Sequence, residues 1–204
     1  MDEATPRDVF GAASETISRY VDILASRGID WGLIGPREAD RLWDRHVLNS
    51  VALAPLIPDS ASVIDVGSGA GLPGLPLAVL RTDLEVVLLE PLLRRFNFLT
   101  LVVDELGLAG RVRVVRGRAE DYQARHDVVT CRAVAPLPRL LDWCLPLVAR
   151  GGRLVALKGS TAADEMAAAG AELRRHRAAA RVEELAVPGT GDATWAIVVE
   201  PRQR

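Results

Sequence analysis

Hydrophobic positions in the middle of the chain follow two alternating patterns. Short apolar runs are typical of buried strands, whereas longer segments with apolar residues every three or four positions are typical of helices. The predicted strands span residues 62–66, 85–90, 111–116, 127–131 and 153–157. The predicted helices span residues 73–81, 92–106, 137–149 and 161–176. This alternation predicts a parallel sheet that is covered by helices on both faces.

The pattern changes at both ends of the chain. Residues 5–27 have apolar positions at helical spacing, and a second helix is predicted to begin at Pro36. Residues 182–187 and 194–199 predict two strands joined by a turn, hence an antiparallel pair. The predicted fold class is therefore α/β, with a doubly wound, mostly parallel sheet, a C-terminal antiparallel hairpin and an N-terminal helical extension.

Prolines and a polar turn mark the predicted boundary between the extension and the sheet. Pro55, Pro58 and Asp59 interrupt the helical pattern just before the first predicted strand. We expect the helical extension to occupy residues 1–57 and the α/β core to occupy residues 58–204.

The segment VIDVGSGAGLPG, residues 63–74, joins the first predicted strand to the next helix. It contains four glycines in eight residues, and each ordered glycine costs roughly 0.5–1 kcal/mol in chain entropy relative to alanine. A strand, a glycine loop and a helix in this order present free backbone N–H groups to a nucleotide-like ligand. The segment is therefore the predicted centre of a ligand site.

Two cofactor classes fit this loop. Gly69, Gly71 and Gly74 form the G-x-G-x-x-G pattern of dinucleotide-binding domains. Asp65 extends the loop to D-x-G-x-G-x-G with Gly67, a pattern typical of S-adenosylmethionine enzymes. A carboxylate at the strand tip would repel a pyrophosphate but tolerate a sulfonium cation. This charge argument and the terminal hairpin favour methyl transfer, and a non-catalytic NAD-binding module remains the alternative.

Polar residues follow the other predicted strands, at the edge where ligands of parallel sheets bind. Glu90 follows the second strand and is placed to accept ribose hydroxyls. The segment 117–121 follows the third strand and contains Ala119 and Glu120, which could present a backbone N–H and an acid to an adenine edge. Arg132 follows the fourth strand, where it could bind a cofactor carboxylate or an RNA phosphate.

The composition describes a single compact domain with no obvious affinity for nucleic acid. The 204 residues are 49% hydrophobic and have a net charge of −2, so any RNA contact must come from a local basic patch. Five basic residues are predicted around the opening of the site and three more on the second helix. The first group is Arg94, Arg95, Arg132, Arg139 and Lys158, and the second is Arg37, Arg41 and Arg45.

Several kinds of site and location are not supported by the sequence. The longest stretch without a charge, residues 66–80, is too short to cross a bilayer, and the acidic start differs from a secretory signal. Two cysteines and three scattered histidines support neither a disulfide framework nor a metal site. We expect a cytoplasmic protein without a membrane anchor or metal, and a monomer.

Four segments together resemble the RsmG family, also called glucose-inhibited division protein B. They are DVGSGAGLPGLPLA at residues 65–78, RAVAPL at 132–137, ALKG at 156–159 and WDRHVLNS at 43–50. The resemblance implies a bacterial methyltransferase that uses S-adenosylmethionine to methylate guanine N7 in 16S ribosomal RNA of the small subunit.

The same resemblance implies particular cofactor contacts. The residues at the family's cofactor-contacting positions are Gly67, Leu72, Ala119, Glu120 and Arg132. The position of the glycine loop and of the strand ends adds Gly69 and Glu90.

Guanine N7 carries an in-plane lone pair, so its methylation needs no general base and we predict no catalytic residue. Methylation of an exocyclic amine would often use an N/D-P-P-Y/F loop, whereas residues 132–137 are RAVAPL. Methylation of pyrimidine C5 would need a cysteine nucleophile, but Cys131 is more simply explained as a small core residue. A methyltransferase for a small molecule or a protein remains a second alternative.

Overall fold

The computed structural model describes residues 4–202 and contains a seven-stranded sheet. The strands are β1 (Ser62–Val66), β2 (Glu85–Glu90), β3 (Val112–Arg116), β4 (His126–Arg132), β5 (Val148–Lys158), β6 (Ala178–Ala186) and β7 (Ala193–Pro201). Their order is β3-β2-β1-β4-β5-β7-β6, with the first five parallel. Strand β7 lies antiparallel between β5 and β6, so the predicted fold class and the terminal hairpin are confirmed.

Eight α-helices accompany this sheet within residues 4–202. They are α1 (Pro6–Phe10), α2 (Ser14–Ile23), α3 (Asn49–Val51), α4 (Gly74–Leu80), α5 (Leu93–Glu105), α6 (Leu137–Cys144), α7 (Ala162–Ala168) and α8 (Gly170–Arg175). Short 3-10 segments cover Gly11–Ala13, Pro36–Arg41, Ala54–Leu56, Ala119–Asp121 and Leu145–Leu147, and π-helical turns cover Leu24–Gly28 and Leu42–Leu48. None of the helices in this part of the chain is long and apolar enough to span a membrane.

Each face of the sheet has its own hydrophobic core because successive strand residues point to opposite faces. Val63 of β1 belongs to the core that also contains Tyr20 of α2, together with α4 and α5. Its neighbour Ile64 belongs to the other core, which contains Leu141 of α6. The N-terminal helices therefore bury their apolar side chains against the sheet itself, and the division of the chain at residue 57 stays a prediction.

Two predicted helices are shorter than their patterns indicated. The helix predicted at 137–149 ends at Cys144 because Pro146 has no N–H to donate, and strand β5 begins at Val148 instead of 153. The helix predicted at 161–176 is divided at Ala169 into α7 and α8.

The N-terminal helices are also less regular than predicted. The helix expected over residues 5–27 is interrupted at Gly11, whose φ of +53° lies outside the right-handed helical region. The segment that begins at Pro36 is first a 3-10 helix and then a π-helical turn. Because these turns do not have 3.6 residues, the arginines at positions 37, 41 and 45 do not form the regular stripe that a spacing of four predicted.

Candidate cofactor site

The side chain of Asp65 binds the end of the glycine loop where α4 begins. Its side chain is completely buried, and its Oδ2 atom accepts the N–H of Gly74 at 3.0 Å, the first residue of α4. Burial raises the pKa of Asp65 to about 7, an effect that the bond from Gly74 opposes. The sequence interpretation placed this carboxylate beside a cationic cofactor. The structure instead places this side chain on the same face of the sheet as Val63. The next residue, Val66, points to the opposite face and packs in the other core.

Three of the four glycines in the loop are required by packing. An added Cβ would lie 2.9 Å from Val134 Cγ2 at Gly67, 2.4 Å from Leu75 Cδ1 at Gly71 and 2.5 Å from Leu88 Cδ2 at Gly74. Gly69 is different, because its Cβ would meet only the carbonyl oxygen of Gly67, at 3.8 Å. With a φ of +60°, this position favours glycine, and the space at its Cα is free for a ligand.

Glu90 holds the loop to the end of β2. Its Oε2 atom accepts the N–H of Gly69 at 3.0 Å, and its Oε1 atom accepts the N–H of Leu92 at 3.0 Å. The residue is only 1% exposed, so these bonds compensate for much of the lost hydration. Each oxygen keeps a further lone pair, and the predicted contact with ribose hydroxyls stays a prediction.

A cavity of about 220 Å³ lies next to the loop, at the carboxyl ends of β1 to β4. Its lining residues are Val66, Gly67, Leu89, Pro91, Gly117, Arg118, Ala119, Glu120, Val134 and Trp143. The walls are mainly apolar, with one carboxylate and one guanidinium. This volume is below the roughly 300–1,000 Å³ that is typical of whole ligand sites, so the cavity suits one end of a nucleoside cofactor.

The structure brings most of the predicted site residues to this edge of the sheet. Gly67, Ala119 and Glu120 line the cavity, and Glu90 is bonded to Gly69 beside it. Leu72 is 9% exposed and packs in the core on the other face of the sheet. The backbone N–H of Leu72 donates to the Ser68 carbonyl oxygen, which fixes its position in the glycine loop.

Arg132 is tied to the N-terminal helical segment. Its Nη2 atom bonds to Nδ1 of His46, and Nη1 donates to the His46 carbonyl oxygen at 3.4 Å. The Nε2 atom of His46 lies 2.9 Å from Oε2 of Glu38. Burial, with help from the Arg132 charge, lowers the pKa of His46. A neutral ring satisfies both contacts, because Nδ1 accepts from Arg132 while the Nε2–H donates to Glu38.

Four lining residues were not predicted from the sequence, namely Leu89, Pro91, Val134 and Trp143. Val134 follows β4 and could have been found by extending the rule for strand ends by two residues. Trp143 lies on α6, and Arg139 lies 5.5 Å from the centre of its ring. Trp143 lies next to Cys144, one of the buried residues of α6. This position at the edge of the buried helix face was the only sequence signal for its role in the site.

The predicted RNA-contacting side chains differ in how free they are. Arg94 and Arg139 are exposed near the site, and the Arg94 guanidinium lies next to Gly32. Lys158 is not free, because its Nζ atom bonds to Oε1 of Glu165 at 2.7 Å and its side chain is 12% exposed. Arg132 is engaged by His46. The exposed arginines are therefore the better candidates for contact with RNA.

Cys131 is a core residue. It is 1% exposed and packs in the same core as Cys144, where a hydrogen bond between the two, together with burial, raises the pKa of the Cys144 thiol. A thiol must become an accessible thiolate to act as a nucleophile. The structure therefore argues against attack by Cys131 on a pyrimidine.

The residues at this edge fit S-adenosylmethionine. Apolar walls formed by Val66, Leu89 and Val134 can cover an adenine face, with Glu120 at the same cavity. The free space at the Cα of Gly69 and the spare lone pairs of Glu90 can meet the ribose. The carboxylates of Glu90 and Glu120 at this edge of the sheet also suit a cofactor with a cationic centre.

Comparisons with known proteins identify the family of the chain. The family model GidB, rRNA small subunit methyltransferase G, matches residues 13–192. A ribosomal RNA small subunit methyltransferase G from Kineococcus radiotolerans is 53% identical over 199 residues, which cover 97% of this chain and 78% of that protein. The protein of the same name from Streptomyces coelicolor is 55% identical over 172 residues, which cover 83% of this chain and 72% of the relative.

Solved structures share the fold. A SAM dependent methyltransferase from Aquifex aeolicus aligns with a TM-score of 0.61 and 15% sequence identity, covering 79% of this chain and 93% of that one. At this identity the likeness concerns the architecture of the sheet and helices.

Proposed function

The chain belongs to the rRNA small subunit methyltransferase G family, and we propose that it transfers the methyl group of S-adenosylmethionine to N7 of a guanine in 16S ribosomal RNA. Methylation of small-subunit rRNA with this cofactor is the activity of the family, which sets aside the NAD-binding alternative. The guanine N7 atom, the residues that hold the cofactor and the surface that meets the RNA are our proposals.

The choice of N7 follows from the resemblance to the RsmG family, and the chemistry of residues 131–137 is compatible with it. Cys131 is buried, and the loop at residues 132–137 has neither the amide nor the aromatic residue typical of exocyclic amine methylation. When bound, S-adenosylmethionine supplies an electrophilic methyl group. The N7 lone pair needs only orientation toward it, and orientation can lower a barrier by roughly 7–11 kcal/mol.

The protein's own residues would then bind and orient. We assign adenine contact to Gly67, Ala119 and Glu120, and ribose contact to Gly69 and Glu90, since these groups lie at or beside one cavity. Leu72 would act by shaping the loop. Arg132, held by His46, would present its remaining N–H donors to the carboxylate of the cofactor.

Exposed arginines near the opening would meet the phosphates of the RNA. We propose that Arg94 and Arg139 contact the backbone while an unstacked loop nucleotide enters the site. Such contacts predict that RNA binding weakens as salt rises. We further propose that the protein works in the cytoplasm as a monomer and without a metal.

Methyl transfer from labelled S-adenosylmethionine tests the substrate and the atom. Small ribosomal subunits, naked 16S rRNA and a metabolite extract would be offered separately to the full chain. We expect label in the RNA, at a guanine that becomes cleavable after borohydride and aniline treatment, as N7-methylated guanines do. Label on a pyrimidine or on an exocyclic amine would overturn the N7 assignment, and label only in metabolites or protein would overturn the RNA substrate.

A matched pair of variants tests the cofactor position. Gly69→Val and Gly107→Val both place a side chain at a positive φ, of +60° and +66°, where an added Cβ would have no contact closer than 3.8 Å. We expect similar losses of stability in thermal unfolding. Only Gly69→Val should lose binding of S-adenosylhomocysteine in calorimetry, because only Gly69 lies beside the cavity. Unchanged affinity in Gly69→Val would place the cofactor elsewhere.

A further inference from the structure

Two adjacent leucines are exposed where α5 begins. Leu92 is 54% exposed and Leu93 is 50% exposed, and within residues 4–202 they are the large hydrophobic residues that remain exposed. Pro91, which lines the cofactor cavity, is exposed as well, so three consecutive apolar residues meet solvent beside that cavity. A single exposed leucine is ordinary on a protein surface, whereas an adjacent group at a ligand site indicates an interaction surface. We call Leu92 and Leu93 the leucine pair.

The leucine pair is held in a fixed position relative to the glycine loop. The carboxylate of Glu90 accepts the N–H of Leu92 at 3.0 Å and the N–H of Gly69 at 3.0 Å. The Leu92 carbonyl oxygen accepts the N–H of Phe96 at 2.9 Å, and Phe98 in the next turn of α5 is completely buried. A surface that is ordered before binding loses little conformational entropy when a partner covers it. The pair is therefore suited to a partner that approaches the cofactor.

Positive charge surrounds the leucine pair. Residues 91–95 and 116–121, which meet at this edge of the sheet, contain four arginines and two acids. The arginines are Arg94, Arg95, Arg116 and Arg118. None of their guanidinium groups forms an ion pair or a side-chain hydrogen bond within the described part of the chain. The acids, Glu120 and Asp121, are exposed, so they only partly offset this charge.

Resting on the proposed function, we propose that the leucine pair packs against an unstacked nucleobase of the RNA, next to the target guanine. That guanine must reach the cofactor methyl group at the carboxyl ends of the strands, so the neighbouring nucleotides pass over the surface beside the cavity. A base offers an apolar face between two phosphates, which matches two leucines among unpaired guanidinium groups. Leucine is among the apolar side chains that insert between unstacked bases. A second copy of this chain would bring the same positive charge, which opposes self-association through this surface.

The double variant Leu92→Ala/Leu93→Ala tests the proposal in the full chain. Its Kd for the RNA that the wild type methylates, small subunits or naked 16S rRNA, should rise about tenfold or more, because about half of each side chain is available for burial. Its Kd for S-adenosylhomocysteine in calorimetry should be unchanged.

Salt dependence separates the apolar contact from the charged ones. The double variant should keep the salt slope of RNA binding because it removes no charge, whereas Arg94→Gln should lower the slope by about one. Leu106→Ala, at the other end of α5, is the matched control and should bind RNA like the wild type. Thermal unfolding checks that each variant is folded.

The outcomes distinguish this proposal from the proposed function. A wild-type protein that labels no RNA would overturn both. If the wild type methylates RNA, equal RNA affinity and equal kcat/KM in the double variant would overturn only the role of the leucine pair. A raised Kd for S-adenosylhomocysteine would do the same, because the pair would then cover the cofactor. A wild-type dimer that the double variant converts to a monomer would assign the pair to an interface between copies and would also overturn the proposal.

Discussion

Asp65→Asn should change how the stability of the protein depends on pH. The carboxylate is completely buried, and its pKa rises from 3.8 to about 7, chiefly because burial removes water from the charged form. Between these two values the folded state keeps the proton while the unfolded chain has lost it. Unfolding then releases a proton, so the free energy of unfolding falls as pH rises through this window.

The size of the effect follows from the pKa shift. The free energy of unfolding falls by about 1.4 kcal/mol for each pH unit between the two pKa values. Above pH 7 the total loss reaches about 4 kcal/mol. Between pH 5 and pH 8, the Asp65 contribution changes by about 2–3 kcal/mol. The asparagine side chain has the same shape and does not titrate, so Asp65→Asn should remove this part of the pH dependence.

Urea unfolding at pH 5 and pH 8 measures the change. Because other groups also titrate, the informative quantity is the difference in stability between the wild type and Asp65→Asn at each pH. We expect this difference to shift by about 2–3 kcal/mol in favour of the variant between pH 5 and pH 8. Asp59→Asn is the control, since the Asp59 side chain is 99% exposed. Parallel curves for the wild type and Asp65→Asn would refute the argument that Asp65 is desolvated.

Three further substitutions test the loop and the chemistry. Gly71→Ala should lower the free energy of unfolding by about 1–3 kcal/mol in urea titrations, because the added Cβ would overlap Leu75. The control Gly110→Ala places its Cβ where no atom lies within 4 Å and should not lower it. Equal stabilities of the two variants would contradict the packing argument. Glu90→Gln should raise the Kd for S-adenosylhomocysteine about tenfold or more in calorimetry, since the carboxylate accepts two N–H groups; unchanged affinity would contradict this. Cys131→Ala should retain methyl transfer in the labelling assay, and a folded but inactive variant would implicate the thiol.

The first two strands were predictable because they are short and mainly apolar. The bounds predicted for the first two strands, residues 62–66 and 85–90, are those of β1 and β2. The strand-end rule also found Ala119 and Glu120, which line the cavity. The early end of α6 could have been predicted as well, since Pro146 is visible in the sequence.

Side-chain directions and long-range contacts were harder to predict. Asp65 follows Ile64, and the alternation of strand residues already indicated that its carboxylate faces away from the cavity, but the charge argument took precedence over this signal. The bond between Arg132 and His46 joins residues 86 positions apart, and no local pattern predicts such a contact. Trp143 enters the site through the packing of α6 on the sheet, which depends on tertiary structure.

A crystal structure with S-adenosylhomocysteine tests the central claim most directly. We predict that the adenosine lies between Gly67 and the segment Ala119–Asp121, with the ribose hydroxyls at Glu90. Binding of S-adenosylhomocysteine away from the glycine loop, for example at the amino ends of the strands, would contradict the account.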